Sequence, residues 1–211
     1  MAKGELVKYV TPVFRLSFPN LFEAKAMDAQ SKPKFGCAAI WTPKVFTETD
    51  KVRWKAIMGA LNAAALEKFK KPWKELPANI KRGVRNGAEK EGMEGYGEGT
   101  AFANLTTKMR PGVVGTEKDA EGKYLTISPE EGNADEIYPG CYCRATVTVY
   151  HYDNKGKGVA LGLLNIQKVK DGERLDSRTN AADDFQDQDS EWLDQDEAAE
   201  SAVDDENDPF A

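Results

Sequence analysis

Residues 141–152, CYCRATVTVYHY, alternate in character at every step. Cys141, Cys143, Ala145, Val147 and Val149 fall on one side; Tyr142, Arg144, Thr146, Thr148, Tyr150 and Tyr152 fall on the other. Successive strand side chains point to opposite faces, so the stretch predicts a long strand whose small apolar face enters a core. DNKGK (153–157) reads as a turn, and VALGLLNIQKV (159–169) as the hairpin partner. Gly158 and Gly162 permit a bulge, or the sharp coil that a small barrel needs.

Outward from this hairpin, residues 7–18 (VKYVTPVFRLSF) predict a strand with Pro12 marking an edge or bulge. Pro19-Asn20 ends it, and the polar residues 23–35 form a loop. GCAAIWT (36–42) predicts a second strand closed by Pro43. Between 50 and 70 the period changes: Trp54, Ile57, Met58, Leu61, Ala65 and Phe69 recur at three and four, the mark of an amphipathic helix. Thr49 or Asp50 suits its N-cap, and Pro72 stops it. Residues 71–100 are irregular, with Gly92, Gly95, Gly97 and Gly99 in close succession, and read as a mobile insertion outside the core. Short strands are expected at 101–109, 112–115 and 124–127. The chain is therefore mainly β, with one or two helices.

Charge divides the chain in two. Its formal net charge is −6, from 29 basic and 35 acidic side chains. Thirteen of the acids and none of the bases lie in the 33 residues 179–211, so residues 1–178 carry +7. A basic body joined to an acidic tail points to a polyanion-binding domain with its own competing polyanion. Residues 1–178 suit one domain, and the tail has the composition of a disordered segment. No apolar run reaches the length of a membrane span and no signal-peptide pattern opens the chain, so it reads as soluble and cytosolic.

Enzyme chemistry finds little to work with. His151 is the single histidine, which removes most triads and most His-based metal sites. Cys37, Cys141 and Cys143 lack zinc-knuckle spacing and read as buried reduced thiols. GTEKDAEGK (115–123) has the wrong spacing for a phosphate loop, and no calcium-loop pattern occurs among the acids. The expectation is no catalysis, no metal and no cofactor.

Single-strand recognition is better served. Proteins of that kind combine a cationic groove with aromatic platforms on which bases stack. Tyr142, Arg144, Tyr150 and Tyr152 place both on one strand face, although half-buried sheet tyrosines would show the same pattern. Trp54 sits on the helix's apolar stripe and belongs to the core. Trp41, ending a strand beside Pro43-Lys44, fits either a core or a platform. Trp73, within the lysine-rich KKPWK, is a stacking candidate.

Four blocks carry a resemblance: RLSFPNLFEAK (15–25), AAIWTPK (38–44), RPGVVG (110–115) and IYPGCYCRATVTVYHYDNKGKGVALGLLNIQKVKDGERLD (137–176). In this order they resemble the single-stranded-DNA-binding proteins of caudate bacteriophages, a family formerly catalogued as a domain of unknown function. The resemblance implies an OB-fold Greek-key barrel with an insertion. It implies a setting in phage DNA replication, recombination or repair, in the cytoplasm of the infected bacterial host. The tail end DDENDPFA is similar to the acidic, phenylalanine-bearing ends of single-strand binders, with Ala211 following Phe210. Asp204, Asp205, Glu206, Asp208 and Phe210 are then the residues expected to engage replication or recombination proteins.

On this reading Arg15, Lys44, Arg144, Lys155 and Lys157 meet phosphates, and Tyr142, Tyr150, Tyr152, Trp41 and Trp73 are the candidate base platforms. The rival reading is an interaction protein whose acidic tail mimics DNA toward a nuclease or repressor.

Overall fold

The computed structural model describes residues 6–26, 31–154 and 156–176. The expected phosphate contact Lys155 and the tail residues Asp204, Asp205, Glu206, Asp208 and Phe210 lie outside the described residues. Among the described residues, ten strands and one α-helix follow in the order β1 (Tyr9–Val10), β2 (Phe14–Lys25), β3 (Lys34–Trp41), α1 (Glu48–Phe69), β4 (Ile80–Lys81), β5 (Arg85–Asn86), β6 (Ala101–Thr107), β7 (Gly112–Lys118), β8 (Tyr124–Thr126), β9 (Tyr142–Asn154) and β10 (Gly156–Lys170).

Five of them close a ring. β2 pairs antiparallel with β3, β3 with β6, β9 with β10, and β9 with β2. β6 and β10 pair in parallel, with Leu161 opposite Leu105. A closed five-stranded Greek-key ring with one parallel seam is the OB-fold. Closure leaves the barrel no free edge over these strands. β4 and β5 attach at the ends of β10 and β6, and the β7–β8 hairpin extends the sheet beyond β10.

The interior is filled by the face predicted for 141–152. Cys141, Cys143, Ala145 and Val147 are buried, opposite Phe14, Leu16, Ala39, Leu105 and Leu161. Small residues on β9 leave room for the large ones on β2 and α1. Cys37, Cys141 and Cys143 are free and buried, and burial pushes the Cys37 thiol up to about 12.

The helix closes one end of the barrel with Ile57, Leu61 and Ala65. Its N-cap is Thr47, not Thr49 or Asp50: the Thr47 hydroxyl accepts from the Asp50 backbone N–H at 3.1 Å and donates to the Asp50 carboxylate at 2.7 Å. Asp50 also accepts from the Val13 backbone N–H at 3.3 Å, tying the helix to the chain just before β2. Lys70 turns left-handed (φ 57°) and ends the helix ahead of Pro72.

Two further expectations fail for identifiable reasons. β2 does not stop at Pro19-Asn20; it runs to Lys25 through an irregularity between Ser17 and Asn20, with Phe18 at φ 46°. That local kink accommodates the proline without ending the strand. Residues 71–100 are irregular as expected but not outside the core: Leu76 and Val84 are buried in it.

Candidate nucleic-acid interface

The second face of β9 lies on the outside of the barrel. The ladder sets Tyr152 opposite Gly158, Tyr150 opposite Ala160 and Thr148 opposite Gly162. Partner residues share a face, so each tyrosine has a glycine or alanine beside it. The space is used: a Cβ at Gly158 would stand 2.8 Å from the Tyr152 hydroxyl oxygen, and one at Gly162 3.4 Å from the Tyr150 ring. The rings therefore lean over β10 instead of standing clear of the sheet. Their centroids are 6.3 Å apart at 49°, and Tyr150 remains 42% exposed. Burial, and then Tyr150, push the Tyr152 phenol up, which keeps it neutral.

The floor continues across the barrel. Thr148 pairs with Gly162, Gly162 with Thr106, Thr106 with Gly36 and Gly36 with Asn20, a row through all five barrel strands. The neighbouring row holds Ala160, Asn104, Ala38 and Ser17. Beyond Tyr150, which begins the second row, no side chain in either row is larger than asparagine. At roughly 4.8 Å per strand, the four steps span about 19 Å. Gly36, Ala38 and Ser17 are buried, and the part of the floor open to solvent, from Thr148 and Ala160 to Asn104 and Thr106, admits an extended polymer beside the aromatic rim.

The remaining sequence candidates separate. Lys81, missed in the sequence, lies at the Tyr152 end of the rim: its carbonyl and Cβ approach Gly158, its partner in the β4–β10 ladder. Only the parallel pairing of a two-residue strand brings it there, so no local pattern announces it. Lys157 leaves β10 from the face opposite Gly158 and pairs with Asp153 at 3.6 Å, which Lys68 of α1 also approaches at 3.4 Å. Tyr142 is half-buried, and the Lys170 ammonium lies 4.6 Å from its ring centre. Arg144 donates from Nε to Gln167 at 2.8 Å, and Gln167 donates in turn to the Gly115 carbonyl at 2.8 Å. Arg15 sits opposite Tyr142 and donates to the Glu173 carbonyl at 2.7 Å. Lys44 is exposed in the single turn Pro43–Val45 ahead of α1.

Trp41 is corrected outright. It is 1% exposed, packed edge-on against Phe14 and Trp54, and donates from its indole to the Pro12 carbonyl at 3.3 Å. A ring so enclosed offers no face to a base. Trp73 is half-buried against the core, with Arg82 5.9 Å from its ring centre.

Comparison with known proteins identifies the family and the fold of this chain. The sequence model of the family described as Enterobacter phage Enc34, ssDNA-binding protein, matches residues 7–198. Protein p50 of Acyrthosiphon pisum secondary endosymbiont phage 1 is 32% identical over 165 residues, covering 75% of this chain and 81% of p50. The structure of the single-stranded DNA-binding protein from bacteriophage Enc34 in complex with ssDNA shares the fold, with TM-score 0.62, 23% identity, and coverage of 79% of this chain and 88% of that one. A C-terminal truncation of the Enc34 protein gives TM-score 0.62 at 22% identity, covering 79% of this chain and 87% of the truncated one. The match over residues 7–198 takes in the barrel, its helix and its insertion, and this chain belongs to the family of the phage Enc34 ssDNA-binding protein.

Proposed function

We propose that this protein binds single-stranded DNA without sequence preference, across the outer face of the barrel, in phage DNA replication, recombination or repair. The observation that carries the reading is the exposed Tyr150 beside Tyr152 at the rim of a glycine- and alanine-lined floor. Bases stack on the tyrosines by their π-faces, which every base has, so binding is indifferent to sequence. Lys81 and the +7 charge of residues 1–178 attract the phosphates. Duplex DNA keeps its bases paired and gains nothing from the rings. The family's name and the Enc34 complex with ssDNA support the same ligand. The protein acts by holding the strand, with no chemical step and no cofactor, in the host cytoplasm.

The tail 179–211 has two roles in this account: it competes with DNA for the basic face, and its acidic, phenylalanine-bearing end recruits partner proteins. A flexible coil of 33 residues spans on the order of 30 Å, about twice the radius of gyration expected for a globule of 178 residues. Tethering raises its effective concentration to the millimolar range. Retardation of a labelled oligothymidine by the full chain and by a chain lacking 179–211 tests both roles. Tighter binding by the truncated chain at low salt, with loss of partner capture, is the expected result. Superimposed salt titrations would remove the competition. A full chain that ignores the oligothymidine but binds a nuclease or repressor through the tail would establish the DNA-mimic reading instead.

A further inference from the structure

At the β2 side of the same floor stands Phe18, next to Ser17. Its backbone has φ 46°, a left-handed conformation that a bulky residue rarely adopts, and it precedes Pro19, where extended backbone is the norm. The kink leaves Phe18 52% exposed in the middle of a barrel strand. Residues held in sparsely populated backbone regions cluster at ligand-binding and active sites.

The insertion 71–100 supplies what surrounds it. The Lys90 ammonium lies 5.2 Å from the Phe18 ring centre, 4.6 Å from Tyr96 and 5.0 Å from Phe102. Arg85 covers the Phe102 ring at 4.3 Å. Two cations thus share one cluster of rings; burial, and then Arg85, push the Lys90 ammonium down, an environment that an anion would relieve. Glu89, 3.6 Å from Arg85, answers part of that charge. Beside Phe18 opens a cavity of about 230 Å³ between Met93, Tyr96 and Leu175. Glu94 and Asp176 also line it, with Asp176 engaged by Arg174 at 2.8 Å.

We propose that Phe18, Lys90 and Tyr96 form a second nucleotide subsite, in which a base stacks on Phe18 and the adjoining phosphate meets Lys90. The inference rests on the single-stranded-DNA reading and extends it. The strand enters at Tyr150, crosses the small-residue floor and is gripped again at Phe18, so the insertion is part of the binding surface. Continuity with that floor and the paired cations favour a nucleotide over an apolar partner.

The test is the affinity of full-length protein for a long labelled oligothymidine, measured across salt for wild type, Phe18→Gly, Phe18→Trp, Lys90→Gln and Tyr150→Ala. Glycine suits φ 46°, so Phe18→Gly removes the ring while relieving the backbone. Phe18→Gly should bind roughly tenfold more weakly, the scale of one lost stacked base, and Phe18→Trp should bind at least as well as wild type. Lys90→Gln should reduce the slope of log K against log salt by about 0.7, one phosphate contact. If Tyr150→Ala weakens binding while Phe18→Gly and Lys90→Gln match wild type, the second subsite is wrong and the DNA-binding reading stands. If Phe18→Gly changes the sedimenting mass but not the affinity, the patch joins copies of the chain and the subsite is again wrong. Wild type that does not bind oligothymidine at all overturns the underlying reading.

Discussion

Tyr152 and Gly158 face each other across the β9–β10 ladder, and the tyrosine hydroxyl fills the space that a side chain at 158 would need. The glycine is thus a condition of the aromatic rim, and the rim is where the proposed activity begins.

Replacing Gly158 with alanine tests that dependence. The new Cβ would stand 2.6 Å from the Lys81 carbonyl oxygen and 2.8 Å from the Tyr152 hydroxyl. The first contact is backbone and cannot turn away. A loss of about 1–3 kcal/mol in stability is expected, as for other overpacked sites. Urea denaturation measures it, and DNA binding should weaken along with it as Tyr152 is displaced.

Tyr150 and Trp41 should respond in opposite ways to truncation. Tyr150→Ala removes an exposed ring, so oligothymidine binding should fall by roughly 1–3 kcal/mol while the melting temperature changes little. Trp41→Ala empties a buried position packed edge-on by two rings and should cost about 3–5 kcal/mol of stability. Calorimetry on both variants, with fluorescence anisotropy of the oligonucleotide, separates the two losses. A large stability loss for Tyr150→Ala would return that ring to the core.

The cap of α1 is open to the same kind of test. Thr47→Ala removes the hydroxyl that accepts from Asp50 N–H and should cost about 0.5–2 kcal/mol. Thr49→Ala, at the position expected from the sequence, should change stability little. Equal effects at 47 and 49 in chemical denaturation would contradict the observed cap.

An acid-side prediction follows from Arg110 and Glu130. The two meet in a bidentate pair at 2.7 and 2.8 Å, and hydrogen bonding from Arg110 holds the Glu130 carboxyl down from 4.5 to about 2. Well above pH 4.5 the carboxylate is ionised in both folded and unfolded chains, and its contribution is complete. Between pH 4.5 and 2 the unfolded chain takes up the proton first, so the contribution fades as pH falls and is gone below about 2. The urea midpoint of Glu130→Gln should therefore decline less than wild type over that window. Parallel curves would show that the exposed pair adds nothing.

The long strand at 141–152 and the helix near 50–70 were legible because each obeys a local period over many residues. The apolar face of the strand entered the core as its alternation required. What escaped was whatever depends on pairing between distant segments. Trp41 is buried because α1 folds back and sets Trp54 against it, a contact the residues around 41 do not encode. Gly158 and Gly162 read as places for a bulge; their role beside the tyrosines needs the register of β9 on β10. Lys81 reaches the rim through a two-residue strand too short to carry a period. Pro19-Asn20 read as a strand end because sequence rules give a proline its usual effect, and the left-handed turn at Phe18 evades that effect.

The most direct test of the account is an equilibrium titration of full-length protein with oligothymidine, and with a duplex of equal length, from low to physiological salt. Log K for the single strand should fall linearly with log salt, at about −0.7 per phosphate contacted and over several contacts, and the duplex should bind much more weakly throughout. Affinity that is insensitive to salt, or equal for the two forms of DNA, would contradict the account.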